Sequence, residues 1–185
     1  MQFDDSDMKI APERISEVFD TSEGAANAFV REKSNGNMDK ARKLGQQFAA
    51  ELTVPSKGAT LFGVGVFDND NTMAQRKVLF AYVVNRVVED MAPNSIVAQS
   101  VLSSFYESVR QQSAELYDLI NDSAAFSLYM LARRSAPEKS EAVGRVFAQL
   151  CDKEGDPVFI RYGAELTDYF MMYCTQIMLR MQLIR

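Results

Sequence analysis

The residues that could do chemistry are few, and the most informative one is missing: the chain contains no histidine. That removes Ser-His-Asp and Cys-His nucleophile systems. It also removes imidazole metal sites and the side chain best suited to proton transfer near neutral pH. Two cysteines, Cys151 and Cys174, cannot close a structural zinc site. Any catalysis would have to rest on carboxylates, Tyr, Lys, Arg, Ser or Cys.

Each remaining candidate reads first as structure. Gly58 and Gly63 have the spacing of a phosphate loop, but Val64 stands where such a loop needs Lys. Asp68-Asn69-Asp70-Asn71 resembles the start of a calcium loop. The sixth and twelfth positions are then Met73 and Leu79, where Gly and Glu are required. Short polar residues before an apolar run are better read as a helix cap. Asp118 and Asp122 share a helix edge, yet no Glu-x-x-His and no facing carboxylates accompany them, so a solvated face is the reading. Cys174 lies between Tyr173 and Thr175 in a Met- and Phe-rich stripe with no cation before Arg180, which points to inert packing. No catalytic residue, metal ligand or cofactor site is assigned.

Charge and composition narrow the classes further. The formal net charge is −5, which argues against a nucleic-acid partner because phosphate recognition needs a basic face. Residues 31–57 are locally basic through Arg31, Lys33, Lys40, Arg42, Lys43 and Lys57, opposed by Glu32, Asp39 and Glu51. This stretch reads as the solvated face of a helix. Apolar residues make up 47% of the 185, enough to bury one core without staples. Met1 precedes an acidic segment and no long uncharged apolar run follows. No signal peptide or membrane span is expected, and the cytoplasm is the default location. The two cysteines are expected to be buried reduced thiols.

The elements that carry these residues are helices. Residues 1–9 read as an acidic tail, and residues 10–185 as a single helical domain. A short helix over 12–20, with Pro12 in its first turn, precedes a second one capped by Thr21-Ser22 and running through Val30. Ser34-Asn35-Gly36-Asn37 is a turn. A third helix carries Ala41, Leu44, Gly45, Phe48 and Leu52 on one face and stops before Pro55. Residues 54–72 are expected to form an extended, glycine-containing loop. There Phe62, Val64 and Val66 would share one side of the chain.

Helical periodicity is strongest over 72–91, where Thr72 and Gln75 match a capping box and apolar residues cover several faces. Val97, Val101, Phe105 and Val109 define the next helix, over 95–112. Residues 114–134 form one helix or two, broken near Asn121-Asp122-Ser123. Ser135-Ala136-Pro137-Glu138 is a second capping box, opening a helix with Val143, Val146, Phe147 and Leu150 on its core face. Asp156 and Pro157 open a last helix running toward the C-terminus. Its main stripe is Leu166, Phe170, Tyr173, Ile177, Met181 and Ile184, flanked by Met171, Cys174 and Met178. Met172, Leu179 and Leu183 fall nearly opposite. The fold class is therefore an all-α, single-domain bundle of seven or eight helices.

A helix apolar on two sides is either central or shared with another chain. The sequence thus favours a protein–protein interaction or regulatory module that self-associates, most simply as a homodimer, or one that binds another protein. The candidate surface is Met172, Leu179, Leu183, Phe62, Val64 and Val66. The first alternative is a binder of lipophilic small molecules in a Tyr- and Met-lined cavity, and the second an enzyme using carboxylate or Tyr groups.

Overall fold

The computed structural model describes residues 16–54, 69–122, 124–135 and 140–184, with the backbone alone for residues 16–23 and 122. Phe62, Val64 and Val66, most of the proposed glycine-containing loop, the acidic tail and most of the 135–138 capping box lie outside this range.

The described residues form eight helices and no strand, an all-α bundle. They are α1 (Ser16–Ser34), α2 (Asn37–Thr53), α3 (Asp70–Met91), α4 (Ser95–Gln112), α5 (Ala114–Asp122), α6 (Ala125–Ser135), α7 (Ser140–Leu150) and α8 (Pro157–Met181). None is long and apolar enough to cross a membrane.

The organising element is α3. Every side chain from Val78 to Tyr82, and on through Val83 and Val84, is buried, because α4, α5, α6, α7 and α8 all pack on it. The sequence places apolar residues on several faces of this helix, and the structure surrounds it accordingly. Two close-packed pairs flank it. In the first, α2 lies on α4 with Gly45 at the contact. A Cβ there would meet the Val101 carbonyl oxygen and would lie 2.7 Å from the Phe105 nitrogen. In the second, α7 lies on α8, with Gly144 facing Ile160 and Gly163 facing Phe147. Absence of a side chain at these positions lets the backbones approach, and Leu44, Phe48, Val101, Phe105, Phe147 and Phe170 fill the space on either side.

Three local readings need correction. Residues 16–34 form one continuous helix, so Thr21-Ser22 does not start a second one. Ser and Thr favour caps but do not break a helix whose neighbours, Glu23 and Ala25 onward, form helix readily. The cap of α3 is Asn69, whose side-chain oxygen accepts from the Thr72 backbone N–H at 2.7 Å. Thr72 is therefore in the first turn, not at the cap. The third correction is the face of α8, which buries Phe159, Gly163, Thr167, Phe170, Cys174, Ile177 and Met178. The buried line is displaced toward the Cys174–Met178 flank because α7 seats on the small residue Gly163, and the Thr167 hydroxyl is satisfied by donating to the Gly163 carbonyl at 2.7 Å. Leu166 and Tyr173 lie at its edge, half-buried.

Three other readings agree with the described residues. Gly36 sits at φ +81° in the turn between α1 and α2, a conformation glycine adopts without strain. The break near residue 122 separates α5 from α6. Asp156 caps α8 by accepting from Val158 N–H at 2.8 Å and Phe159 N–H at 3.4 Å, with Pro157 in the first turn.

Candidate functional site

Three places concentrate polar or exposed apolar side chains: a groove between α3 and α6, the outer face of α8, and a buried polar corner near the chain end.

The groove is built from two helix faces. On α3, Tyr82, Asn85, Arg86 and Glu89 recur every three to four residues, so they share a face. On α6, Phe126, Met130, Arg133 and Arg134 do the same. Together they enclose about 460 Å³. The floor is aromatic: Tyr82 meets Phe126 edge-on with ring centroids 6.0 Å apart, and Tyr129 at 5.0 Å. The Tyr82 hydroxyl donates to the Tyr129 carbonyl at 3.4 Å, and Asn85 donates to Tyr106 Oη at 2.6 Å. Burial pushes Tyr106 up to about 12 and raises Tyr129 further, so both phenols stay neutral.

The rim of the groove is cationic. Asp90 lies between two arginines, 3.4 Å from Arg86 Nη2 and 3.8 Å from Arg133 Nη2. The other nitrogen of Arg86, Nη1, is buried and has no hydrogen-bond partner among the described residues. Arg134 is exposed.

The outer face of α8 is different in kind. Val158 is 55% exposed, Met172 53% and Leu179 63%, at intervals of seven or fourteen residues, with Glu165 completing the series. Tyr169, 38% exposed, stands between Glu165 and Met172 and stacks on Tyr173 at 6.4 Å. Glu165 accepts from Arg161 Nε at 2.8 Å. Of the candidate residues, Met172 and Leu179 thus lie together on one exposed strip. Leu183 does not join them: the helix ends at Met181, Gln182 turns at φ +48°, and Leu183 packs half-buried against the core.

The polar corner was invisible in the sequence. Glu32, counted there among the charges of a solvated face, is buried, 3% exposed. Its carboxylate accepts from Asn37 Nδ2 at 2.6 Å, Asn94 Nδ2 at 3.0 Å and Asn35 Nδ2 at 3.1 Å. These hydrogen bonds, led by Asn37, hold its pKa below the usual glutamate range. Asn37 also donates to the Ile184 carbonyl at 2.8 Å and accepts from the Ile184 N–H at 2.9 Å, and Lys40 Nζ donates to the Gln182 carbonyl at 2.7 Å. Of the six cations of the basic stretch, Arg31, Lys33, Arg42 and Lys43 are exposed and Lys40 is half-buried, while Lys57 lies outside the described residues.

Both cysteines are free and buried. Burial pushes Cys151 up to about 11, although Thr72 and the buried Arg76 beside it act in the opposite direction. Burial raises Cys174 as well, with Glu51 adding to the effect. Arg76 itself is 1% exposed and lies over the Tyr162 ring, 5.2 Å from its centroid. Asp118 is exposed. Among the described residues, no group of three Cys, Asp or Glu side chains is arranged to hold a metal ion.

Comparison with protein-family models, curated proteins and solved structures finds no match.

Proposed function

We propose that this chain is a helical interaction module that pairs with a second copy of itself through the outer face of α8. The observation that carries the reading is the seven-residue series Val158, Glu165, Met172 and Leu179, whose three apolar members no other described part of the chain covers. A seven-residue apolar repeat is what an α-helix needs to keep one seam against a partner helix.

The spacing of the series is symmetric about Tyr169, with Val158 mirrored by Leu179 and Glu165 by Met172. Two copies of α8 running antiparallel would place Val158 of one against Leu179 of the other, with the two Tyr169 rings near the two-fold axis. That is the self-complementarity an isologous dimer requires. The charges favour the same orientation. A parallel, in-register pair would set Glu165 against Glu165, whereas the antiparallel pair sets it near Met172 while Arg161 neutralises it from its own helix.

Sedimentation velocity on the wild-type chain, Met172→Glu and Leu179→Glu tests this. The wild type is expected to sediment as a dimer and both variants as monomers with unchanged helical circular dichroism. A wild type that stays monomeric at the highest workable concentration overturns the proposal.

A further inference from the structure

We infer that the groove between α3 and α6 is a binding site for a small anionic amphiphile: an apolar body with a carboxylate head. Its volume of about 460 Å³ falls in the range of small-molecule sites, roughly 300–1,000 Å³. Its floor of Tyr82, Phe126 and Met130 offers apolar surface, and Met130 is 51% exposed at its edge. Covering such surface is favourable in water.

The choice of head group follows from charge. The chain as a whole carries a net −5, yet the groove lining gathers three guanidiniums, Arg86, Arg133 and Arg134, against one carboxylate, Glu89. Asp90 offsets part of that excess by bridging Arg86 and Arg133. It leaves Arg86 Nη1 buried and without an acceptor among the described residues. Nη1 itself is closed to solvent, so an incoming carboxylate would pair with the part-exposed Arg133 guanidinium, in the charge-assisted hydrogen bonds guanidinium makes best. Arg134, exposed at the C-terminal turn of α6, adds a second cation over the same opening. A cationic ligand would meet repulsion here, and a neutral one would forgo the charge-assisted pairing with the arginines.

The site lies on α3 and α6, away from the α8 strip, so its test does not depend on self-association. Isothermal titration of the wild-type chain with decanoate, decan-1-ol and decylammonium, each below its micellar range, compares one apolar tail with three heads. Decanoate is expected to bind once per chain, with the alcohol weaker and the amine weakest. Arg134→Glu, on an exposed side chain, is expected to weaken decanoate by about tenfold, the scale of one charge-assisted hydrogen bond, with unchanged circular dichroism. Leu179→Glu is expected to bind decanoate as the wild type does. Equal affinity for decanoate and decan-1-ol, several decanoates per chain, or unchanged binding in Arg134→Glu overturns the inference.

Discussion

Adding one methyl group at Gly45 should separate two helices. The Cβ of Gly45→Ala would land on the Val101 carbonyl oxygen, 2.7 Å from the Phe105 nitrogen and 2.8 Å from Ser104 Cβ. Two of these three are backbone atoms of α4, which cannot rotate away. Ordinary contact starts near 3.4 Å, so α2 and α4 must part by several tenths of an ångström. That movement loosens Leu44, Phe48, Val101 and Phe105 together and strains the Ser104 hydroxyl bond to the Arg42 carbonyl, 2.9 Å long. Overpacking of this kind costs about 1–3 kcal/mol, with rigid obstacles at the upper end. Replacing a helical glycine by alanine returns about 1 kcal/mol of propensity. The net loss should be about 2 kcal/mol, lowering the melting temperature by about 4–8 °C for a chain of this size. Gly24→Ala in α1 is the control. Nothing lies within 4 Å of its Cβ, so only the propensity gain of about 0.5–1 kcal/mol remains. Urea unfolding followed by circular dichroism measures both, with equal slopes as the check that unfolding is comparable. A Gly45→Ala chain as stable as the wild type would refute the close-contact reasoning.

Two further outcomes follow from buried titratable groups. The Glu32 carboxylate is held below its ordinary value near 4.5, so its contribution is fully present above that pH and is lost as pH falls through the lower folded value. The Ile184 amide should therefore lose protection, relative to its intrinsic exchange rate, as pH falls through that lowered value while those of Val83 and Val84 keep theirs. Glu32→Gln should abolish that difference, and an acid-insensitive Ile184 in the wild type would contradict the assignment. For the thiols, burial sets Cys151 near 11 and Cys174 higher still. Neither should react with iodoacetamide at about pH 8 until the chain unfolds, and rapid labelling of the native protein would show that the sites open.

How much of this was legible in the sequence depends on the range of the signal. Apolar spacing located α2, α3, α4 and α7, and it anticipated the all-round burial of Val78 to Val84, because a helix face is set by residues three and four apart. The face of α8 was misjudged for a physical reason. Size and hydrophobicity pointed to Leu166 and Tyr173, but the closest packing is made where a side chain is missing, at Gly163. The groove needed pairing information that periodicity lacks. Tyr82, Asn85, Arg86 and Glu89 form a recognisable mixed face, and so do Phe126, Met130, Arg133 and Arg134. Nothing in either says that the two meet. Glu32 misled most, since a lone carboxylate among cations looks solvated until two asparagines of the adjoining turn and a third, Asn94, from a distant one converge on it.

The clasp between Asn37 and Ile184 joins groups 147 positions apart. Closing so long a stretch of chain is entropically unfavourable until the intervening helices have condensed. The clasp must then form after the folding barrier has been crossed, and it contributes by slowing escape from the native state, not by hastening arrival. Asn37→Ala should accelerate unfolding and leave the refolding rate nearly untouched, which makes this corner a fastener applied last and the first to be undone.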